Sequence, residues 1–338
     1  MYKCAFLGCG PRARAHARAY KDVKRGAIAA ICDLDEERLA TFGDEFGVAT
    51  RYTDAHEMLE KEKPDVLHVV NVPTLRMATM TIPVEHNVPI AIVEKPIALQ
   101  GEDWRQIQAL GKRGPTRFVV NTQLHFHARN LELKRDVAAG RIGEIRHIDV
   151  SARSTPLDQG VHVLELADSY NGFPGFTSVF GQVSGAGDLD SRQPAPSMAA
   201  ALIAFANGVR CSLMCGLCAP LATTAESRYH HKRISVYGTR GFVQWTMASW
   251  ERQTDDGGYE SGTHEYGPED DLAQARLTEA CFDWLEDEAK PHPTRLERSL
   301  AEFNTVLGIY ASALRHEPVE LPFDPPDGLL DALKQRLA

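Results

Sequence analysis

A glycine turn near the amino terminus constrains the fold of this chain more than any other stretch. Residues 2–7 form an apolar run of strand length, and Gly8-Cys9-Gly10-Pro11-Arg12-Ala13 follows it and leads into a helical stretch. In such a turn the first glycine permits the tight bend, the second lets the backbone approach a pyrophosphate, and the alanine keeps the helix close to the strand. The N–H groups of the first helical turn then face the phosphates. The turn therefore predicts a dinucleotide-binding unit.

An acidic residue follows the second predicted strand at the place where dinucleotide-binding folds hold a ribose. The apolar run 27–32 ends at Asp33, which lies 20 residues beyond Ala13. A carboxylate at this place binds the ribose hydroxyls and repels a 2′-phosphate, which favours NAD over NADP as the cofactor. Two alternatives stay open. Asp33 could cap the helix that begins near Asp35, and Arg12 could accommodate the phosphate of NADP.

Strands and helices alternate along the chain as far as residue 121. The helical stretches and the apolar runs of strand length follow one another at 39–46, 55–62, 65–72, from Pro73 to about residue 86, 89–93, 102–113 and 117–121. Strands that alternate with helices indicate a doubly wound parallel sheet. We therefore predict an α/β protein whose NAD-binding Rossmann domain covers residues 1–121.

One of these apolar runs ends abruptly in a charged pair. Residues 89–93 lead directly into Glu94, Lys95 and Pro96. Ligands of parallel sheets gather outside the carboxyl ends of the strands, so this pair should lie at a binding crevice. The alternative is that Lys95 merely opens a surface loop. The complete set of predicted cofactor-binding residues is Gly8, Cys9, Gly10, Pro11, Arg12, Asp33, Asn71, Pro73, Glu94, Lys95 and Asn121.

The second half of the chain has a different pattern. After residue 122 a helix leads into strand-like runs at 145–153, 199–206, 209–217 and 233–238. Strands that follow strands suggest an open, largely antiparallel sheet. Helices return at 272–288 and 295–314 and are expected to pack back on the core. We predict an α+β domain over residues 122–338 that binds the substrate and supports oligomerisation.

Taken together, the glycine turn, Asp33 and the Glu94-Lys95-Pro96 run resemble the Gfo/Idh/MocA family of oxidoreductases. The resemblance extends over nearly the whole chain. His16 matches the histidine that usually follows the glycine turn in this family. Further matches to the family's motifs are Gly140-Arg-Ile-Gly-Glu-Ile145, Phe205-Ala-Asn-Gly208 and Val236-Tyr-Gly-Thr-Arg-Gly241.

The resemblance also implies the catalytic residues. The family's second signature is an aspartate followed four residues later by a histidine, which here is Asp158 and His162. This spacing places both side chains on one face of a helix, and His162 is the candidate general acid or base. Lys95, His162 and Asp158 are the predicted catalytic residues. The alternative from the residues alone is that Asp158 caps a helix in which His162 packs.

The substrate side of the resemblance is weaker than the cofactor side. The glycine pair that usually precedes the aspartate is missing, and the family's frequent Asn-x-Arg-Phe becomes Asn121-Thr-Gln123-Leu124. Gln123 and His125 follow a strand on the expected nicotinamide side, and Arg153 could hold an anionic group. The predicted substrate-binding residues are Gln123, His125, Arg153, Asp158 and His162.

The resemblance implies an NAD-dependent dehydrogenase that oxidises a secondary alcohol of a sugar, a cyclitol or a derivative. Two other functions stay open. One is NAD-dependent glycoside cleavage through transient oxidation, elimination and reduction, and the other is a sensor without catalytic activity. The family also implies a homodimer or a homotetramer that forms through the sheet of the second domain.

Composition excludes several other classes of protein. The net charge of −9 argues against sequence-independent binding of nucleic acid, which needs a basic surface. No apolar run reaches the length of about 18 residues needed to span a membrane. The amino terminus has no secretory pattern, and the seven cysteines are an odd number, so we expect reduced thiols in a cytoplasmic protein without a metal site.

Overall fold

The computed structural model describes residues 1–337 and contains two compact units. The first unit consists of residues 1–98, 105–126 and 268–298, and the second consists of the remaining residues. A single boundary between residues 121 and 122 was expected. The structure differs, because residues 268–298 follow the second sheet in the chain and nevertheless belong to the first unit.

A six-stranded parallel sheet forms the centre of the first unit. Its strands are β1 (Tyr2–Leu7), β2 (Gly26–Cys32), β3 (Arg51–Tyr52), β4 (Val66–Val69), β5 (Ile90–Val93) and β6 (Arg117–Val120). Their order in the sheet is β3-β2-β1-β4-β5-β6, and every pair is parallel. The order reverses between β1 and β4, and such a reversal opens the crevice in which doubly wound folds bind ligands. The predicted Rossmann fold is confirmed.

Helices connect these strands. They are α1 (Pro11–Arg18), α2 (Glu36–Phe46), α3 (Ala55–Glu62), α4 (Arg76–Glu85) and α5 (Gly101–Leu110). The four residues of β4 and the four of β5 are all buried, as expected for central strands of a parallel sheet that is covered on both faces. On one face Phe6, Ala13, Ala17 and Phe42 belong to one apolar cluster, which joins α1 and α2 to β1.

The segment 268–298 covers part of this sheet, and this contact explains why the segment belongs to the first unit. Leu277, Cys281 and Phe282 are fully buried in one apolar cluster with residues of the central strands, including Ile90 and Val119. They lie on α8 (Tyr266–Glu286), which follows α6 (Ala128–Ala138) and α7 (Val161–Tyr170) in the chain. Burial of these apolar side chains against the parallel sheet makes the segment part of the first unit, although the segment lies far from the strands in sequence.

A nine-stranded sheet forms the second unit. Its strands are β7 (Ile145–Ala152), β8 (Phe176–Ser184), β9 (Met198–Phe205), β10 (Arg210–Cys215), β11 (Lys232–Gly238), β12 (Phe242–Thr246), β13 (Ser249–Thr254), β14 (Gly258–Thr263) and β15 (Val319–Glu320). Their order is β14-β13-β12-β11-β7-β10-β9-β8-β15. Only the β7–β10 pair is parallel, so the prediction of a largely antiparallel sheet is confirmed.

One face of this sheet is covered and the other is open. The covering helices include α7, all ten residues of which are buried, and α9 (Leu296–Arg315); α10 (Leu329–Leu337) ends the described chain. On the open face the strands present Phe180, Leu202, Met214 and Tyr237, each of which is well exposed. No helix within residues 1–337 is long and apolar enough to cross a membrane.

Candidate active site

The glycine turn has the geometry that its sequence predicts. Gly8 has a φ of 101°, a value that favours glycine, and a Cβ atom there would collide with the carbonyl oxygen of Val70. Gly10 is the N-cap of α1, and no atom lies within 4 Å of the place where its Cβ would be. Pro11 takes the first helical position, where its missing N–H costs nothing. The turn therefore leaves open space before the helix amino terminus, which suits a dinucleotide phosphate.

Asp33 is tied to this turn. Its Oδ2 accepts a hydrogen bond of 2.8 Å from the backbone N–H of Cys9, and its Oδ1 accepts one of 3.0 Å from Asp35 N–H. The helix cap is Asp35, because it accepts from the backbone N–H of Arg38. The alternative that Asp33 caps α2 is therefore wrong. Asp33 instead stands at the carboxyl end of β2, next to the glycine turn, where a ribose would bind.

Glu94 links three parts of the same sheet edge. Its Oε1 accepts from Nε of Arg12 at 2.9 Å, from Nε2 of His16 at 2.7 Å and from Nδ2 of Asn121 at 2.8 Å. These donors come from α1 and from the end of β6. Burial alone would raise the pKa of Glu94, but the positive charge of Arg12 and the bond from His16 hold it well below its usual range. Arg12 is thus engaged with a carboxylate, which argues against its alternative role with the phosphate of NADP.

Two more side chains, the buried His68 and the partly buried Tyr20, extend from His16 away from Glu94. Nδ1 of His16 lies 3.1 Å from Nδ1 of His68, and Nε2 of His68 lies 2.8 Å from the hydroxyl of Tyr20. Burial lowers the pKa of His16, and it lowers the pKa of His68 well below the usual value with help from the neighbouring His16. Burial also raises the pKa of Tyr20 well above its usual value. All three groups are therefore neutral at physiological pH.

The end of β4 carries the other predicted cofactor residues. Oδ1 of Asn71 accepts a bond of 3.3 Å from the hydroxyl of Thr79, and Pro73 begins a short 3₁₀ turn before α4. Arg76 lies in the first turn of α4 and is almost completely buried. Burial lowers its pKa to about 10, and its Nη2 lies 3.4 Å from the carbonyl oxygen of Pro96. Arg76 therefore supports the segment that directly follows Lys95.

Lys95 follows Glu94 at the end of β5 and is half-buried. The neighbouring strand β6 ends before Asn121, whose N–H donates to Val93 O at 2.8 Å. Gln123 and His125 lie in a buried 3₁₀ turn over residues 123–126. Nε2 of Gln123 donates to Asp270 at 3.0 Å, so its amide is fixed within the first unit. The carboxyl ends of β1, β2, β4, β5 and β6 thus carry all the predicted cofactor residues on one edge of the sheet.

The second unit holds the other predicted catalytic residues. Asp158 lies in a π-helical turn over residues 156–160, and His162 is buried in α7, which follows directly. Oδ2 of Asp158 accepts from the hydroxyl of Ser154 at 2.8 Å, and its Oδ1 accepts from Gln159 at 3.0 Å. Thr155 accepts from the backbone N–H of Asp158 at 3.2 Å. Both residues therefore stand on one continuous helical segment, as their spacing predicts.

Arg153 lies at the end of β7 in the second unit. Its Nη1 donates to the carbonyl oxygens of Leu217 at 3.3 Å and Ala219 at 2.8 Å. Its backbone N–H donates to His231 O at 3.1 Å. The guanidinium therefore holds the loop that follows β10, and its role toward an anionic substrate stays a prediction.

The residues that sequence reasoning missed in the first unit are Tyr20, His68, Arg76 and Asp270. His68 gives the clearest signal, because it is one polar residue inside the apolar strand β4. A buried imidazole needs hydrogen-bond partners, so such a residue indicates a polar contact across elements. Neither Tyr20 nor Asp270 has a comparable signal, since each lies on an ordinary helical surface in the sequence.

The comparisons with known proteins agree with this geometry. Residues 2–122 match the family described as an oxidoreductase family with an NAD-binding Rossmann fold, Gfo/Idh/MocA. This part of the chain therefore matches the NAD-binding domain of that family. The predictions of the family and of NAD as the cofactor are confirmed.

The chain is similar to a D-apiose dehydrogenase from Paraburkholderia graminis, with 29% identity over 49% of this chain and 48% of that protein. It is also similar to a myo-inositol 2-dehydrogenase from Thermotoga maritima, with 22% identity over 70% of this chain and 73% of that protein. The chain thus spans about half the length of the D-apiose dehydrogenase that it matches.

Solved structures share the fold. The crystal structure of an oxidoreductase from Agrobacterium radiobacter, in complex with NAD+, L-tartaric acid and magnesium, has a TM-score of 0.80 and 22% identity. The match covers 94% of this chain and 98% of that chain. A similarity at this level of identity establishes the architecture of both units. It does not establish the reaction, which has to be argued from the residues of the site.

Proposed function

We propose that this protein is an NAD-dependent dehydrogenase that oxidises a secondary alcohol of a sugar, a cyclitol or a related compound. One observation carries the proposal: the glycine turn, Asp33, Glu94 and Lys95 stand on a single edge of the parallel sheet, joined by the bonds Cys9–Asp33 and Arg12–Glu94. The relatives named D-apiose dehydrogenase and myo-inositol 2-dehydrogenase support a polyhydroxylated substrate.

The fit of the residues to NAD rests on the space and charge around the turn. Open space lies beside Gly10, the amino terminus of α1 can face a pyrophosphate, and Asp33 can accept from ribose hydroxyls. NAD, when bound, supplies the acceptor for a hydride. The residues of this chain hold it, exclude water and take the proton.

The proton step belongs to Lys95 or His162. As the carbinol C–H bond breaks, the hydroxyl oxygen loses its proton and a carbonyl forms. Lys95 is proposed to hydrogen-bond this oxygen, and His162 is proposed as the general acid or base. Asp158 would orient a substrate hydroxyl, because its carboxylate accepts hydrogen bonds and is already fixed by Ser154 and Gln159.

A panel assay tests the proposal. The protein is mixed with NAD and sugars, cyclitols and glycosides, including D-apiose and myo-inositol, and NADH absorbance is followed while consumption of each compound is measured in parallel. We expect NADH to accumulate with at least one polyol, in step with its oxidation. Consumption of a glycoside without NADH would contradict the proposal and favour cleavage through transient oxidation. NAD binding without any turnover would favour a sensor.

We also propose that the protein forms a homodimer or a homotetramer through the open face of the nine-stranded sheet. Phe180 and Leu202 are paired neighbours on that face, and Met214 and Tyr237 lie on the same side of β10 and β11. Leu202 is 59% exposed. Exposed apolar side chains that adjoin one another on a flat sheet are typical of a surface that binds another protein.

A further inference from the structure

The first unit contains a buried chain of hydrogen bonds that the proposed function leaves unused. It begins at Glu94, passes through His16 and His68, and ends at Tyr20. His16 is 1% exposed and His68 is 0% exposed, so water does not replace the bonds from Glu94 to His16 and from His16 to His68. The chain therefore has a fixed arrangement of protons, which elementary hydrogen-bond rules determine.

Glu94 fixes the proton on His16. A carboxylate can only accept hydrogen bonds, so Nε2 of His16, at 2.7 Å from Glu94, carries its proton. Nδ2 of Asn121 lies 3.0 Å from the same Nε2, but it donates to Glu94 at the shorter distance of 2.8 Å. A neutral imidazole has one protonated nitrogen, and therefore Nδ1 of His16 is an acceptor. Burial disfavours the charged form of His16, which excludes a second proton on Nδ1.

His16 in turn fixes the proton on His68. The two Nδ1 atoms lie 3.1 Å apart, and since that of His16 accepts, that of His68 must donate. Nε2 of His68 is then an acceptor, and the hydroxyl of Tyr20, at 2.8 Å, must donate to it. Each polar atom in this chain of hydrogen bonds is thus either a donor or an acceptor. Reversing any one of them would place two lone pairs or two protons against each other.

Packing holds the rings in place. The ring of His68 is stacked on that of Phe6 with centroids 4.3 Å apart and an interplanar angle of 6°. Phe6 lies opposite His68 in the register of β1 and β4. The stacking fixes the plane of the imidazole, so that its two nitrogens stay directed at His16 and Tyr20.

We propose that Tyr20 and His68 are positioning residues, which hold the imidazole ring of His16 in place beside Glu94 and thereby hold Glu94 and the adjoining Lys95 in place. The part that concerns Lys95 rests on the proposed function. Glu94 is the last residue before Lys95, and its Oε1 accepts from three side chains. If His16 turned its lone pair toward Glu94, the two acceptors would repel and the end of β5 would shift. The hydroxyl of Tyr20, which lies three hydrogen bonds away from Glu94, thus sets the position of Lys95, the predicted catalytic lysine.

Nitrogen NMR of the wild-type protein gives the first test, because the two tautomers of histidine have distinct nitrogen shifts. The protein is labelled with ¹⁵N-histidine, and the signals of His16 and His68 are assigned from the variants His16→Asn and His68→Asn. We expect a proton on Nε2 of His16 and on Nδ1 of His68 at neutral pH. The opposite tautomer at either residue would overturn the proposal, and this result needs neither activity nor a further variant.

The variant Tyr20→Phe gives the second test. It removes one hydroxyl, so Nε2 of His68 loses the hydrogen bond that it accepts, whereas Nδ1 of His68 keeps its proton because Nδ1 of His16 still accepts from it. We expect the Nε2 signal of His68 to shift to that of an unprotonated nitrogen without a hydrogen bond, while both histidines keep their tautomers. Tyr52→Phe is the matched control, because it removes a hydroxyl that bonds Glu62 in the same unit. An unchanged Nε2 signal of His68 in Tyr20→Phe, or a changed tautomer of either histidine, would overturn the proposed arrangement of hydrogen bonds.

Kinetics then test the effect on Lys95. We expect Tyr20→Phe to lower kcat about tenfold with little change in KM, because a small misplacement of a reacting group acts on the chemical step. Tyr52→Phe should keep the wild-type kcat. A shifted Nε2 signal of His68 together with a wild-type kcat would overturn the positioning role of Tyr20. Absence of turnover in the wild-type protein would contradict the proposed function instead. NMR would still test the hydrogen bonds that run from Glu94 to Tyr20.

Discussion

At the scale of single residues, two aspartates that lie two positions apart have different tasks. Asp33 accepts from the backbone of the glycine turn, whereas Asp35 caps α2. The position of Asp33 beside the turn follows from its distance in sequence, because the strand and the helix between them have nearly fixed lengths. The sequence leaves the cap ambiguous, since both residue positions suit a helix start.

The charge of Asp33 should set the preference between NAD and NADP. We expect Asp33→Asn to lower the ratio of NAD affinity to NADP affinity by roughly tenfold or more, because a hydrogen bond from ribose to a charged group is weakened and the repulsion of a 2′-phosphate is removed. Binding titrations with both cofactors measure this ratio. Asp35→Asn is the matched control, since it removes the same charge and keeps a capping side chain. An equal effect of both substitutions would contradict the assignment.

At the scale of elements, the apolar pattern predicts five of the six parallel strands and most of the helices that join them; it does not predict the two-residue strand β3. It does not predict the polar chain from Glu94 to Tyr20, because His16 and His68 lie 52 residues apart and meet only through the order of the strands. It also does not predict β14, in which Gly258-Tyr-Glu-Ser-Gly-Thr263 has no apolar face. Periodicity finds elements that bury one side, and it does not find an edge strand without such a side.

The buried histidines His16 on α1 and His68 on β4 should make the stability of the protein depend on pH. The pKa of His68 lies well below its usual value in the folded protein, so the unfolded chain binds a proton first as the pH falls. The free energy of unfolding should therefore have its full value above about pH 6.5 and decrease below it, by up to about 1.4 kcal/mol per pH unit for this group. The depressed pKa of Glu94 acts in the same direction at lower pH, below about 4.5.

Denaturant unfolding at several pH values measures this dependence. We expect His68→Phe to show a smaller decrease in the free energy of unfolding between pH 6.5 and pH 5, by up to about 1.4 kcal/mol per pH unit. The comparison concerns the slope with pH, because the substitution also removes two hydrogen bonds and changes the absolute stability. A slope equal to that of the wild-type protein would show that His68 takes up a proton in the folded state.

At the scale of the whole molecule, the open face of the nine-stranded sheet has the strongest consequence for assembly. We expect Leu202→Glu to weaken self-association at least tenfold, because burial of a leucine contributes about 1.5–3 kcal/mol and a symmetric interface counts it twice. Sedimentation over a range of concentrations measures the change. Leu217→Glu is the control, because Leu217 is 70% exposed in the loop after β10 and lies outside the sheet. A monomeric wild-type protein would contradict the proposed assembly.

The measurement that tests the central claim most directly is the turnover of Lys95→Ala with the polyol that the panel assay identifies. We expect kcat to fall by at least about a hundredfold, because the substitution removes the group that we propose to hydrogen-bond the alcohol oxygen. NAD affinity should persist, since the glycine turn and Asp33 remain, and the exposed surface variant Lys112→Ala should match the wild-type protein. Turnover of Lys95→Ala close to that of the wild-type protein would contradict the catalytic assignment of Lys95.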